Sequence, residues 1–338
     1  MMRTGTAVLV VACAAFGFAL ASHGEEPAEE QTRSEQPARA SSRSAEPAAA
    51  TAPGDDKCRL LQVATLDLGS ETDGEVTIPV AINGHVGRWL IDTGNVRSMI
   101  SDATAENLGI PVRPSFTPME MFGGTPILTE ARVDELKIGE LSTHNYSLMV
   151  APSRFVPADT IGMLAPDVMS AYDVEFDFAA GQFKMFSQDH CEGKVVYWTH
   201  GTYARVPFDL SSDTHIVVQV TIDGKEVDAV IDTGSPKSTM SLSAARSLFG
   251  LSATSPKMVT TARTSINGLP PTGTYSYPFE TLTFEGVSVL TPQITIVDDS
   301  GLPGSTPRLL LGVQTLRQLH LYVAYGEHAL YVTPAEER

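Results

Sequence analysis

Residues 64–108 align with residues 204–248 at a constant offset of 140, without a gap, and 13 of the 45 positions are identical. No other feature limits the fold as tightly, because a chain written twice predicts two similar lobes. The identities include Val80/Val220, Ile82/Ile222, Gly84/Gly224, Ile91/Ile231, Ser98/Ser238, Ser101/Ser241, Ala105/Ala245 and Leu108/Leu248. They also include two Asp-Thr-Gly triplets, at Asp92–Gly94 and Asp232–Gly234.

The flanks keep one plan even where the residues differ. "VTIPVAINGHVGRWLIDTG" reads as a strand, a two-residue Asn83-Gly84 turn and a second strand running into the acid; "IVVQVTIDGKEVDAVIDTG" repeats it with Asp223-Gly224. Such dipeptides between β-rich runs specify tight hairpins, because both turn residues must accept positive φ. Ser101 and Ser241 then open short helix-like pieces. A β-rich stretch with a glycine-containing tip follows in each half. Each half closes with an apolar loop, a short helix and a β-hairpin, "IGMLAPDVMSAYDVEFDFAAGQFKMF" and "LLLGVQTLRQLHLYVAYGEHALYV". The expected fold is mostly β, with lobes over 58–190 and 207–334 joined by 191–206 and no long parallel βαβ units.

By composition one Asp-Thr-Gly triplet is expected on the order of 0.1 times in such a chain. A single copy reads as a turn, with the acid capping and the glycine at positive φ. Two copies in register, each after a buried-looking strand, need more than that. A pseudo-twofold axis brings equivalent loops together, so Asp92 can meet Asp232. Two carboxyls at hydrogen-bonding distance share a proton, since both cannot ionise cheaply. The ionised member can then take a proton from water while the other donates to a carbonyl oxygen. That chemistry hydrolyses an amide without metal, cofactor or covalent intermediate.

The two apolar-Asp-Thr-Gly loops, each followed by a flap-like hairpin and an apolar closing loop, resemble the aspartic proteases. Each half is similar to a retropepsin-type lobe, here duplicated in one chain in the bilobed pepsin-like arrangement, over about residues 60–334. The resemblance implies two pseudo-twofold-related lobes and a catalytic dyad of Asp92 and Asp232. It implies that Thr93 and Thr233 lock the loops across the axis, that Gly94 and Gly234 allow close backbone approach, and that Ser235 hydrogen-bonds its carboxylate. It places flap tips at Phe122-Gly123-Gly124 and Ile266-Asn267-Gly268. Two departures stand out. Asn95 replaces the usual Ser, Thr or Ala and points to an asymmetric dyad. In Met163-Leu164-Ala165, Ala165 stands where Leu310-Leu311-Gly312 keeps the glycine, and its methyl is expected to crowd the first loop. The implied protein is a monomeric aspartic endopeptidase acting on peptides or proteins, with both halves of the site in one chain. The alternative is a weakly active or inactive peptide-binding or regulatory protein using the same cleft, supported by Asn95 and Ala165.

The remaining sequence bounds the setting. Net charge is −17 and no Lys/Arg cluster stands out, which argues against nucleic acid or an anionic membrane surface as partner. Residues 1–21 read as a secretory signal peptide, so the expected location is periplasmic or secreted. An uncleaved membrane anchor is one alternative, and a lipoprotein-type acceptor at Cys13 ranks last. Residues 22–57, rich in Glu, Ala, Ser, Pro and Arg, read as a disordered tether. In an oxidising compartment Cys58 and Cys191 can pair; two buried thiols are the alternative. The eight histidines show no paired spacing, so no metal is expected. Asn145-Tyr146-Ser147 fits a glycosylation sequon, informative only in a eukaryotic protein. Alternation places Asp173, Glu175 and Asp177 together on one strand face, expected to be solvated.

Overall fold

The computed structural model describes residues 58–70, 74–121, 125–210, 215–264, 272–300 and 308–335. The expected signal segment and tether, and both expected flap tips (Phe122-Gly123-Gly124 and Ile266-Asn267-Gly268), lie outside those residues.

Each half starts with the hairpin its turn dipeptide specifies. Val76–Ile82 pairs antiparallel with His85–Ile91, and Ile216–Ile222 with Lys225–Ile231. The turn residues all take positive φ: 50° and 82° at Asn83-Gly84, 45° and 76° at Asp223-Gly224. The turn side chains also dock the hairpins onto later strands. Asn83 Oδ1 accepts from the N–H groups of Asp134 and Glu135 at 2.9 and 3.0 Å, and Asp223 Oδ1 from those of Glu280 and Thr281 at 2.9 and 2.8 Å.

Beyond each triplet a short strand, Met99–Ser101 or Ser238–Ser241, runs into a helix, Asp102–Asn107 or Leu242–Phe249. The expected serines cap these helices: Ser101 Oγ accepts from Thr104 N at 2.9 Å and Ser241 Oγ from Ala244 N at 3.2 Å. The closing segments Gly162–Leu164 and Leu309–Leu311 then lie parallel to the strands that carry the acids, pairing Leu164 with Ile91 and Leu311 with Ile231.

The halves join along six neighbouring strands, three from each, of a larger sheet that continues into the second lobe. Their order is Gln62–Asp67, Gln182–Phe186, Asp173–Asp177, Leu319–Ala324, Ala329–Pro334, Ala204–Leu210. The two closing hairpins meet at the middle of the six, with Val174 opposite Val323 and Asp177 opposite His320. Val174 and Phe176 face a hydrophobic core shared by both lobes.

The other face of this sheet differs from expectation. Asp173, Glu175 and Asp177 do share it, but all three are buried. The inter-lobe connection folds across that face. Its Val195, Val196 and Trp198 pack with Phe186, Tyr322 and Tyr331, and the Trp198 ring stacks on His320 at 4.4 Å. Beneath this cover each acid has a partner. Lys184 Nζ lies 2.6 Å from Glu175 Oε1, Tyr197 donates to Glu175 Oε2 at 2.7 Å, and His190 Nε2 lies 2.7 Å from Asp173 Oδ2. Asp177 Oδ1 lies 3.7 Å from His320 Nδ1. A disulfide between Cys58 and Cys191 ties the start of the described chain to the same connection.

Candidate active site

The strands Val76–Ile82 and His85–Ile91, and their second-lobe counterparts, deliver Asp92 and Asp232 to the pseudo-twofold axis. Each acid is anchored by its own backbone: Asp92 N donates to Leu164 O at 2.9 Å and Asp232 N to Leu311 O at 3.0 Å. Across the axis the threonines interlock. Thr93 Oγ1 donates to Ile231 O and Thr233 Oγ1 to Ile91 O, both at 2.8 Å, while each hydroxyl accepts from the other's N–H at 3.0–3.1 Å. Both threonines are fully buried.

The glycines are required by proximity and not by φ. A Cβ on Gly94 would run into the Asp232 carboxyl, and one on Gly234 into the Asp92 carboxyl. Each carboxyl therefore lies against the opposite loop's backbone. Asp92 Oδ1 accepts from Gly94 N at 3.0 Å; Asp232 Oδ1 accepts from Gly234 N at 2.9 Å and Ser235 N at 3.0 Å.

Both acids are buried and hydrogen-bonded to each other. Burial, then the charge of Asp232, holds the Asp92 carboxyl well above the usual range against the N–H groups of Gly94 and Asn95. Burial also pushes Asp232 up to about 6, opposed by the Gly234 and Ser235 N–H groups and then by His215. The pair therefore carries a proton into a pH range where ordinary carboxylates have lost theirs.

Two expectations for this site need correction. The Ser235 hydroxyl does not bond its carboxylate; it donates to Lys237 O at 2.9 Å, and the backbone N–H serves the acid instead. Ala165 does not crowd the first loop. It is fully buried in extended conformation (φ −116°), and its N–H donates to Ser98 Oγ at 3.0 Å. The two lobes join loop to closing segment by different means. In the second, Val313 N donates to Ser235 O and Gln314 N to Pro236 O, and a Cβ on Gly312 would strike the carbonyls of Ser235 and Lys237. In the first, the Asp167 carboxylate makes the join, accepting from Ser98 N and Oγ and from Tyr146 OH. Asn95 Oδ1 accepts from Val96 N at 2.8 Å and its Nδ2 lies 3.9 Å from the Met99 sulfur.

Sequence reasoning noted the Ser98/Ser238 identity without giving it a role. Ser98 braces Asp167 and Ala165, and Ser238 does the same for Thr315 and Gly312. It also passed over Arg97, whose guanidinium holds the strand Val112–Met121 through Thr117, and His215, whose Nε2 lies 2.8 Å from Gly94 O. Away from the site, Glu175, Asp177 and His320 place metal-ligand atoms within 4.8 Å of one another. The Lys184 ammonium already stands among them, 2.6 Å from Glu175, and its charge opposes a cation there.

Comparison with known proteins agrees with this geometry lobe by lobe. Residues 78–164 match the family described as "gag-polyprotein putative aspartyl protease", and residues 218–315 match the family described as "Aspartyl protease". No curated protein matches the sequence. Among solved structures, basic 7S globulin from soybean is similar over 82% of this chain and 96% of its own, at 10% identity and a TM-score of 0.47. The family matches together span more than half of the chain, one in each lobe, and the protein belongs to the aspartyl proteases, with two such domains in a single bilobed chain.

Proposed function

We propose that the protein is an exported aspartic endopeptidase that hydrolyses peptide bonds with one water activated between Asp92 and Asp232. The observation that carries this reading is the pair of buried carboxyls at the lobe junction, each lying against the opposite loop's glycine and held by the reciprocal threonine bonds. The ionised carboxyl takes a proton from water as the water oxygen bonds to the scissile carbonyl carbon. At the same time the protonated carboxyl gives its proton to the carbonyl oxygen. The resulting gem-diol collapses: the C–N bond breaks, the nitrogen takes the proton held by the first carboxyl, and a diol hydroxyl returns a proton to the second. The dyad ends as it began. The interlocked threonines keep the carboxyls in place throughout, so little reorganisation accompanies the charge movement.

The peptide-binding alternative rested on Asn95 and Ala165. The Asn95 side chain is engaged by Val96 and Met99, and Ala165 fits its loop, so neither favours that reading. The test is cleavage of a diverse peptide library between pH 3 and 7, read by mass spectrometry. New termini that are insensitive to chelators support the proposal. A folded protein that cuts nothing refutes it.

A further inference from the structure

The segments that lead into each lobe's first hairpin reach across to the other lobe's Asp-Thr-Gly loop. Gly74, before strand Val76–Ile82, faces Pro236 of the second loop; a Cβ on it would lie 3.4 Å from Pro236 Cβ. His215, before strand Ile216–Ile222, sets its Nε2 2.8 Å from the Gly94 carbonyl of the first loop. A carbonyl only accepts, so Nε2 carries the hydrogen.

The loops match closely at their threonines and glycines, and differ at Asn95 and Ser235, where Ser235 N gives Asp232 a second backbone donor. Their threonine bonds are the same length, their glycine N–H groups reach the acids at 3.0 and 2.9 Å, and each has a cation at the matching position, Arg97 or Lys237. The lead-in segments also break the symmetry, because the position matching His215 is Glu75. Gly94 is also the residue that lies against the Asp232 carboxyl. Gly94 thus touches both acids, its N–H on Asp92 and its Cα beside Asp232. Of the two acids, Asp232 is the one on which His215 acts, and a charge on the imidazole favours its ionised form.

We propose that His215 is a positioning residue of the dyad: it fixes the first loop through the Gly94 carbonyl, and its charge keeps the shared proton on Asp92. Asp232 is then the carboxylate that takes the proton from water, and Asp92 the acid that donates to the carbonyl oxygen. The inference rests on the proteolytic reading above. It gives the base a fixed identity that two identical triplets alone cannot.

The test compares the full-length parent with His215→Gln, which keeps a donor but loses the charge, and His215→Arg, which keeps both. His215 lowers the proton affinity of Asp232, so removing the imidazole makes the first ionisation of the pair harder. In His215→Gln the acid limb of kcat/KM moves to higher pH by roughly half to one unit, while His215→Arg keeps the parent limb. Carboxyl ¹³C titration of the pair follows the same shift without needing turnover, so a parent that cleaves nothing would sink the protease reading and still leave this inference tested. Equal limbs and equal carboxyl titrations in the parent and His215→Gln would overturn it. So would a His215→Arg variant that behaves like His215→Gln.

Discussion

Thr93 Oγ1 donates to the carbonyl of Ile231 at 2.8 Å, across 138 residues of chain, and Thr233 Oγ1 returns the same bond to Ile91. These reciprocal bonds fix the distance between the acids next to them. A valine at either position keeps the shape and leaves a buried carbonyl and a buried N–H unpaired. Thr93→Val and Thr233→Val should each lower unfolding free energy by about 1–3 kcal/mol. The double variant should cost less than the sum, since either change disrupts the same lock. Denaturant unfolding of all four proteins measures the coupling.

The glycines test proximity separately from stability. Because a Cβ at Gly94 or Gly234 would occupy the space of the opposite carboxyl, Gly94→Ala and Gly234→Ala should each lower kcat by about 100-fold or more, as displaced catalytic groups do. Steady-state kinetics on a cleaved peptide provides the check, with circular dichroism confirming that the fold persists.

The dyad should make stability depend on pH in a particular direction. Asp232 is raised from 3.8 to about 6, and Asp92 is raised well above its ordinary value. The folded state therefore binds more protons than the unfolded state above pH 4, so stability is fully present below that point and falls as pH rises through 6. Asp232→Asn removes the buried charge. It should unfold less readily than the parent at pH 7, by about 1–3 kcal/mol, and show a flatter profile between pH 4 and 6. Thermal melts across that range decide it.

Beneath the inter-lobe connection, Lys184 neutralises Glu175, whose side chain is fully buried. Burial raises the Glu175 carboxyl, but bonds from His320, Lys184 and Tyr197 outweigh it and hold the group below its usual value. Lys184→Met strands that charge and should cost about 3–5 kcal/mol. Lys184→Met combined with Glu175→Gln should recover part of the loss. Chemical denaturation of the single and double variants provides the comparison.

Much of this arrangement is legible in the sequence itself. The gapless repeat located both acids, the Asn83-Gly84 and Asp223-Gly224 turns located the hairpins, and Ser101 and Ser241 marked the helix starts. These features are local or repeated, so pattern alone reveals them. The errors concern long-range covering. Alternation correctly grouped Asp173, Glu175 and Asp177 on one face, but strand periodicity cannot show that residues 191–203 fold over it. The Ser235 hydroxyl takes a local partner instead, Lys237 O two residues on, and a motif does not show which local acceptor wins; the setting of Ala165 depends on Ser98, 67 residues away. His215 was passed over because nothing in its own neighbourhood links it to Gly94, 121 residues away.

The most direct test of the account is turnover by the parent, Asp92→Asn and Asp232→Asn on one defined peptide that the parent cuts. A dyad sharing one proton predicts that each single variant loses activity by at least 1,000-fold, on the order expected when an essential acid or base is removed. Full activity in either variant would contradict the paired-carboxyl mechanism.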